Sequence, residues 1–135
     1  MSRRNSREIV LKSLFSLDFT QDSTAQETLE AVVESLDVTP LDGEYAKEVL
    51  DGVLKYRKEI DGEISQHLKD WTIERLSAID RNLLRMATYE MFYAKEKVAP
   101  AVVINEAVDI AKEYGTDESA PFINGVLGKM VKSHG

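Results

Sequence analysis

The chain has 135 residues, no cysteine, 43% hydrophobic and 30% charged residues, and a formal net charge of −7. That is one domain's worth of sequence with enough apolar material for a sizeable core, and without cysteine it excludes disulfides, thiolate nucleophiles and Cys-based zinc sites. Three Pro, seven Gly and no alternating β-branched runs argue against an all-β chain and leave room for long helices.

The charge is unevenly laid out. Arg3, Arg4, Arg7 and Lys12 against Glu8 leave the first 12 residues at +3 and the remainder at −10. Between Ser13 and Ala46 there is no Lys or Arg, while Asp18, Asp22, Glu27, Glu30, Glu34, Asp37, Asp42 and Glu44 supply eight acids. Cations are unfavourable near a helix N-terminus by ~0.3–1 kcal/mol each, so the basic start works against local stability. A basic arm on an acidic body suits contact with a polyanion. It is also what a solvated helix start with no further role looks like.

Seven helices are predicted in chain order. The first spans about Asn5 to Thr20, with Val10, Leu14 and Leu17 as its core stripe. On a helical wheel Arg4, Arg7, Leu11 and Phe15 fall within about 80° of one another, beside that stripe. Arginine for phosphate and an aromatic for a splayed base is the logic of single-stranded RNA recognition. The alternative is that Leu11 and Phe15 pack on a neighbouring helix and the arginines are solvated. Thr24 with Glu27 reads as a capping box for a second helix, Ala25 to Leu36. The third runs from about Gly43 to Lys58, and the fourth from about Ile60 to Trp71. The fifth, from the Ser77-Ala78-Ile79-Asp80 start to about Lys95, is apolar on most of its circumference and is expected to be central. Leu83 and Ala87 should be buried in it. Pro100 suits the first turn of a sixth helix that ends at Tyr114 before Gly115. Pro121 lies in the first turn of the seventh, which reaches about Lys132. The expected fold class is all-α, one domain over 1–135, with short connections and antiparallel neighbours.

The catalytic inventory is poor. His67 has Glu63 one turn before it but no second copy of the pair, and His134 lies in a tail expected to fray. No phosphate-cradling or nucleophile-elbow motif is present. Gly125 and Gly128 are expected to permit close packing. Asn105 and Asn124 each interrupt an apolar helix and are expected to be buried amides. Asp80, Arg81, Arg85, Glu90 and Glu106 are candidates for interhelical ion pairs. No segment approaches the ~20 apolar residues of a membrane span, and no secretory h-region is present. The Arg- and Ser-rich start shares features with a mitochondrial presequence, but Glu8 and Asp18 count against one. The expected location is the cytoplasm, and the expected activity is binding, not catalysis.

Six segments carry a resemblance. They are Arg4-Asn5-Ser6-Arg7-Glu8-Ile9-Val10-Leu11-Lys12-Ser13-Leu14-Phe15, Trp71-x-x-x-Arg75-Leu76, and Asp80-Arg81-x-Leu83-Leu84-Arg85-x-Ala87-x-Tyr89-Glu90. After these come Pro100-x-Val102-Val103-Ile104-Asn105-Glu106-Ala107-Val108, Ala111-Lys112-x-Tyr114-Gly115-Thr116, and Ser119-x-x-Phe122-Ile123-Asn124-Gly125-Val126-Leu127. In this order, over nearly the whole chain, the sequence resembles the NusB family of bacterial transcription antitermination factors. The resemblance implies an all-α fold of two small helical bundles in one compact unit, without cofactor or metal. It implies binding to boxA-type single-stranded RNA of ribosomal operons, with NusE, a small ribosomal subunit protein, as partner in the RNA polymerase antitermination complex. Carried over by position, Arg3, Arg4 and Arg7 contact the RNA backbone, and Phe15, Glu118 and Phe122 lie at the RNA surface. Asp80 faces NusE, and Phe15 also serves that partner. Ser6 and Val10 stand where the family usually has Ala. The short basic arm implies weak RNA affinity without the partner. Two other readings stay open. One is a helical adaptor that binds only protein through the acidic 13–46 region. The other is a detached N-terminal module of a ribosomal-RNA cytosine methyltransferase, which would require a truncated chain because no cofactor-binding domain follows.

Overall fold

The computed structural model describes residues 3–20, 23–36, 40–69 and 72–135, with Pro40 and Leu41 as backbone alone. Trp71, the expected end of the fourth helix, lies outside the described residues, as do Asp22 and Asp37. The elements are α1 Arg4–Phe19, α2 Ala25–Ser35, α3 Pro40–Lys55, α4 Arg57–Ser65, α5 Ala78–Thr88, α6 Pro100–Tyr114 and α7 Ser119–His134. A 3-10 turn, Ile73–Arg75, precedes α5, and a π-turn, Tyr89–Tyr93, follows it. The all-α fold class holds, with no strand among the described residues.

Local signals set several boundaries. Thr24 Oγ1 accepts from the Glu27 N–H (3.1 Å), and Glu27 Oε1 accepts from the Thr24 N–H (3.0 Å), completing the capping box of α2. Ser77 Oγ accepts from the Asp80 N–H (3.1 Å) and caps α5. Gly115 ends α6 for a steric reason. A Cβ there would stand 2.4 Å from Ser119 Oγ, the group that accepts from the Thr116 N–H at 3.0 Å. Ser6 also has a use: its hydroxyl donates to the Asp42 carbonyl at 2.9 Å, tying α1 to the first turn of α3.

α1 packs against α2, α3 and α5, and α6 packs against α7. α5 touches α1, α3, α4, α6 and α7 and joins the two groups, through Leu83, Leu84, Met86 and Ala87 on its apolar face and through buried Asn82 and Arg85 on its polar one. Leu83 and Ala87 are buried. The expected single helix to Lys95 is corrected: the chain changes pitch at Tyr89, and the Ala94 N–H donates to the Tyr89 carbonyl at 2.9 Å, five residues back. The Tyr89 ring lies where a Cβ on Gly52 would be, 2.1 Å from its Cε1, so only glycine on α3 admits it. The change of pitch delivers Glu90 to the interior. There Arg7 donates to it through Nε and Nη2 at 2.9 and 2.8 Å, and the Tyr45 hydroxyl donates at 2.7 Å.

A second polar network joins α1, α4 and α5. Asp18 accepts from Arg81 (2.9 Å) and Asn82 (2.8 Å), and Arg85 grips Asp61 at 2.8 and 3.0 Å while donating to Asn82 Oδ1 at 3.1 Å. Burial by itself raises the Asp18 carboxyl. The hydrogen bonds from Arg81 and Asn82, with the Arg81 and Arg85 charges, outweigh it and hold the group below its ordinary range. A depressed carboxyl contributes stability that is present above the unfolded value, about 3.9, and lost as pH falls through the folded value. Wild type should therefore lose stability below about pH 4 more steeply than Asp18→Asn. Urea unfolding at stepped pH measures this, and equal slopes would remove Asp18 from the acid limb.

The C-terminus departs from expectation too. α7 continues to His134, whose ring stacks on Phe92 at 3.8 Å between centroids and pairs with Glu63. An aromatic face and a carboxylate on neighbouring elements hold the last turn that was expected to fray.

Candidate nucleic-acid interface

The three arginines of the basic start have three different environments. Arg3 is exposed, and its guanidinium carbon lies 3.9 Å from the centroid of the Tyr45 ring. Arg4 is half-buried and reaches Glu8 (3.3 Å), Glu106 (3.6 Å) and Glu113 (3.2 Å). Arg7, expected beside them at the RNA backbone, is corrected to an interior position. Its side chain is 5% exposed, bidentate on Glu90, and 3.6 Å from Glu106. Burial alone would lower its pKa, and the Glu90 hydrogen bond and charge reverse this, so the guanidinium is held charged. The wheel placed Arg7 and Leu11 beside the core stripe. Helix α1 has neighbours on more than one flank, so both are buried, and that face opens to solvent only at its two ends, Arg4 and Phe15.

Phe15 and Phe19 are exposed, and their rings meet at 4.9 Å between centroids. Phe15 borders an apolar groove of about 310 Å³ with Leu11, Lys12, Ile79 and Tyr114. Beyond Ile79 and Tyr114 lies a second groove of about 260 Å³, lined by Arg75, Ser77, Asp80, Thr116, Glu118 and Phe122 among others. The fold thus gathers Asp80, Glu118 and Phe122 at one place, although the resemblance assigned them to two different ligands. Asp80 does not cap its own helix, because Ser77 does. Its Oδ1 is buried without a hydrogen-bond partner among the described residues.

Thr116 also borders a third groove, about 660 Å³, between α6 and α7. Asn105, Lys112 and Asn124 line it. Both amides are exposed, which corrects their expected burial: each lies on the outer flank of its helix, while Ala107 and Ile123 take the core. Gly125 and Gly128 are corrected as well, since nothing stands within 4 Å of a Cβ built at either.

Lys12, Tyr114 and Thr116 were not singled out from periodicity. Tyr114 and Thr116 fall in a segment that carried the resemblance, where spacing alone marks only a helix end. The grooves combine aromatic edges, a few cations and exposed amides. Such a surface can stack bases, contact phosphates and meet protein. Among the described residues no three His, Asp or Glu side chains are grouped to hold a metal ion, and no helix is long and apolar enough to cross a membrane.

Comparison with known proteins places these features in context. The NusB family matches residues 4–132. The transcription antitermination protein NusB of Clostridium botulinum (strain Loch Maree / Type A3) is 41% identical, covering 97% of this chain and all of that protein. A solved structure of T. maritima NusB is similar with a TM-score of 0.87 at 37% identity, covering 98% of this chain and 92% of that one. A structure of antitermination factors NusB and NusE in complex with dsRNA gives a TM-score of 0.88 at 30% identity, covering 97% and 96% of the two chains.

Proposed function

The chain belongs to the NusB family, and from that premise we propose that it is a transcription antitermination factor that binds boxA-type RNA of ribosomal operons together with NusE. In that role it promotes read-through by RNA polymerase, acts in the cytoplasm as one RNA- and protein-binding domain, and carries out no reaction. The observation that supports the reading is the placing of exposed Phe15 and of Phe122 on adjoining grooves at the start of α5, with Arg4 at the other end of the α1 face that carries Phe15 and exposed Arg3 preceding it. Aromatic edges offer stacking, and the arginines offer phosphate contacts. Asp80 in the same region disfavours phosphate and suits a basic protein, which fits NusE as the partner that completes RNA affinity.

In this reading Arg3 and Arg4 contact RNA backbone, Phe15, Glu118 and Phe122 border the RNA, and Asp80 with Phe15 meets NusE. Arg7 holds the fold beneath them. If Arg3 and Arg4 each neutralise one phosphate, they contribute about −1.4 to the log–log salt slope for a single strand. Titration of a short boxA-type RNA with and without NusE, at several salt concentrations, tests this. Arg3→Ala/Arg4→Ala should flatten the slope by about that amount. An unchanged slope would move the RNA site away from the helix start.

A further inference from the structure

Arg3 differs from its two neighbours in what it leans on. Arg4 and Arg7 engage carboxylates, whereas Arg3 rests on the ring of Tyr45, from α3. Tyr45 is half-buried against the core, and its hydroxyl donates to Glu90 Oε2 at 2.7 Å. Glu90 is in turn clamped by Arg7 at 2.8 and 2.9 Å. The ring is therefore fixed at both ends, by the core along its body and by a buried carboxylate at its tip. A guanidinium over a ring uses its face. Its N–H donors lie in the guanidinium plane and stay available to phosphate oxygens. An arginine already held in place loses less conformational freedom when a ligand arrives.

We propose that Tyr45 is a positioning residue for the RNA contact, its pinned ring holding the Arg3 guanidinium ready at the junction of α1 and α3 for a phosphate of the bound strand. The inference rests on the reading that Arg3 meets RNA. It gives the buried Arg7–Glu90–Tyr45 chain a second consequence: the interior ion pair sets the place of a surface cation. Tyr45 itself touches no RNA.

The test is a double-mutant cycle on boxA-type RNA binding with NusE present, using Tyr45→Leu, Arg3→Ala and their combination. Thermal unfolding of each variant is followed alongside. Tyr45→Leu should weaken binding about two- to fivefold, the range of an exposed cation–π contact. In the Arg3→Ala background the same change should add nothing. A merely structural Tyr45 would weaken binding equally in both backgrounds, and that result overturns the proposal. Arg3→Ala without effect on affinity overturns it too. Should Tyr45→Leu fail to fold, Tyr45→Phe carries the cycle, because loss of the hydroxyl unpins the ring while keeping its volume. The expected coupling is then smaller but again confined to chains with Arg3, and additivity again overturns the proposal. Absence of any boxA binding by the wild-type pair would instead sink the functional reading itself, an outcome separate from additivity in a pair that binds.

Discussion

Glu90→Ala is expected to cost about 3–5 kcal/mol of folding stability, the range for removing one partner of a buried ion pair. For a chain of this length that lowers the melting temperature on the order of 10–20 °C. Glu90 is 1% exposed, and Arg7 is 5% exposed and bidentate on it. Without the carboxylate, Arg7 keeps, among the described residues, an ion pair with Glu106 at 3.6 Å, and the Tyr45 hydroxyl loses its acceptor. The desolvated charge, more than the lost bonds, is what destabilises. Replacing both members, Arg7→Met with Glu90→Leu, should recover most of the loss, since neither charge is then buried. Urea unfolding of the three variants checks this. A loss under about 1 kcal/mol for Glu90→Ala would put the pair in the class of solvated surface bridges.

Leu83→Ala should destabilise by roughly 2–5 kcal/mol while leaving boxA-type RNA affinity per folded molecule unchanged. Leu83 is 1% exposed on α5 and borders a void of about 10 Å³ with Met86, Val103 and Ile110. Truncation enlarges that void, and a close-packed interior relaxes into such a space only in part. Its side chain reaches none of the grooves that carry Phe15, Asp80 or Phe122. Chemical denaturation together with RNA titration separates the two effects. A change in RNA affinity with unchanged stability would mean that α5 communicates with the grooves.

The readable parts of this chain were those whose cause lies within a few residues. Thr24 and Glu27 cap α2 by reaching each other across one turn. Ser77 caps α5 by accepting from the Asp80 N–H, without a reciprocal bond from the Asp80 side chain, and Pro100 and Tyr114 bound α6 as read. The apolar run of α5, Leu83, Leu84, Met86 and Ala87, announced its central place, because so much apolar surface has to be covered by neighbours; that Asn82 and Arg85 are covered too, by Asp18 and Asp61, was not legible. The six ordered segments were enough to identify the family, and the family carried Asp80, Glu118 and Phe122 as residues of interest.

What only the tertiary structure decided has causes distant in sequence. Arg7 looked like one more cation of the arm until Glu90, 83 residues later, was turned inward by a change of helical pitch. Composition cannot signal a π-turn, because the extra residue is selected by what it must meet. Asn105 and Asn124 looked buried because their neighbours in sequence are apolar, but burial follows the face a helix turns to its partner, and both amides lie on the other face. Asp80 and Phe122 became neighbours only when the start of α5 met the start of α7. Local chemistry thus determined which helices form and where several of them begin and end. The packing of α5 among its neighbours determined which charges are spent inside the protein and which remain outside for a ligand, because a side chain's solvation is a property of its surroundings and not of its place in the chain.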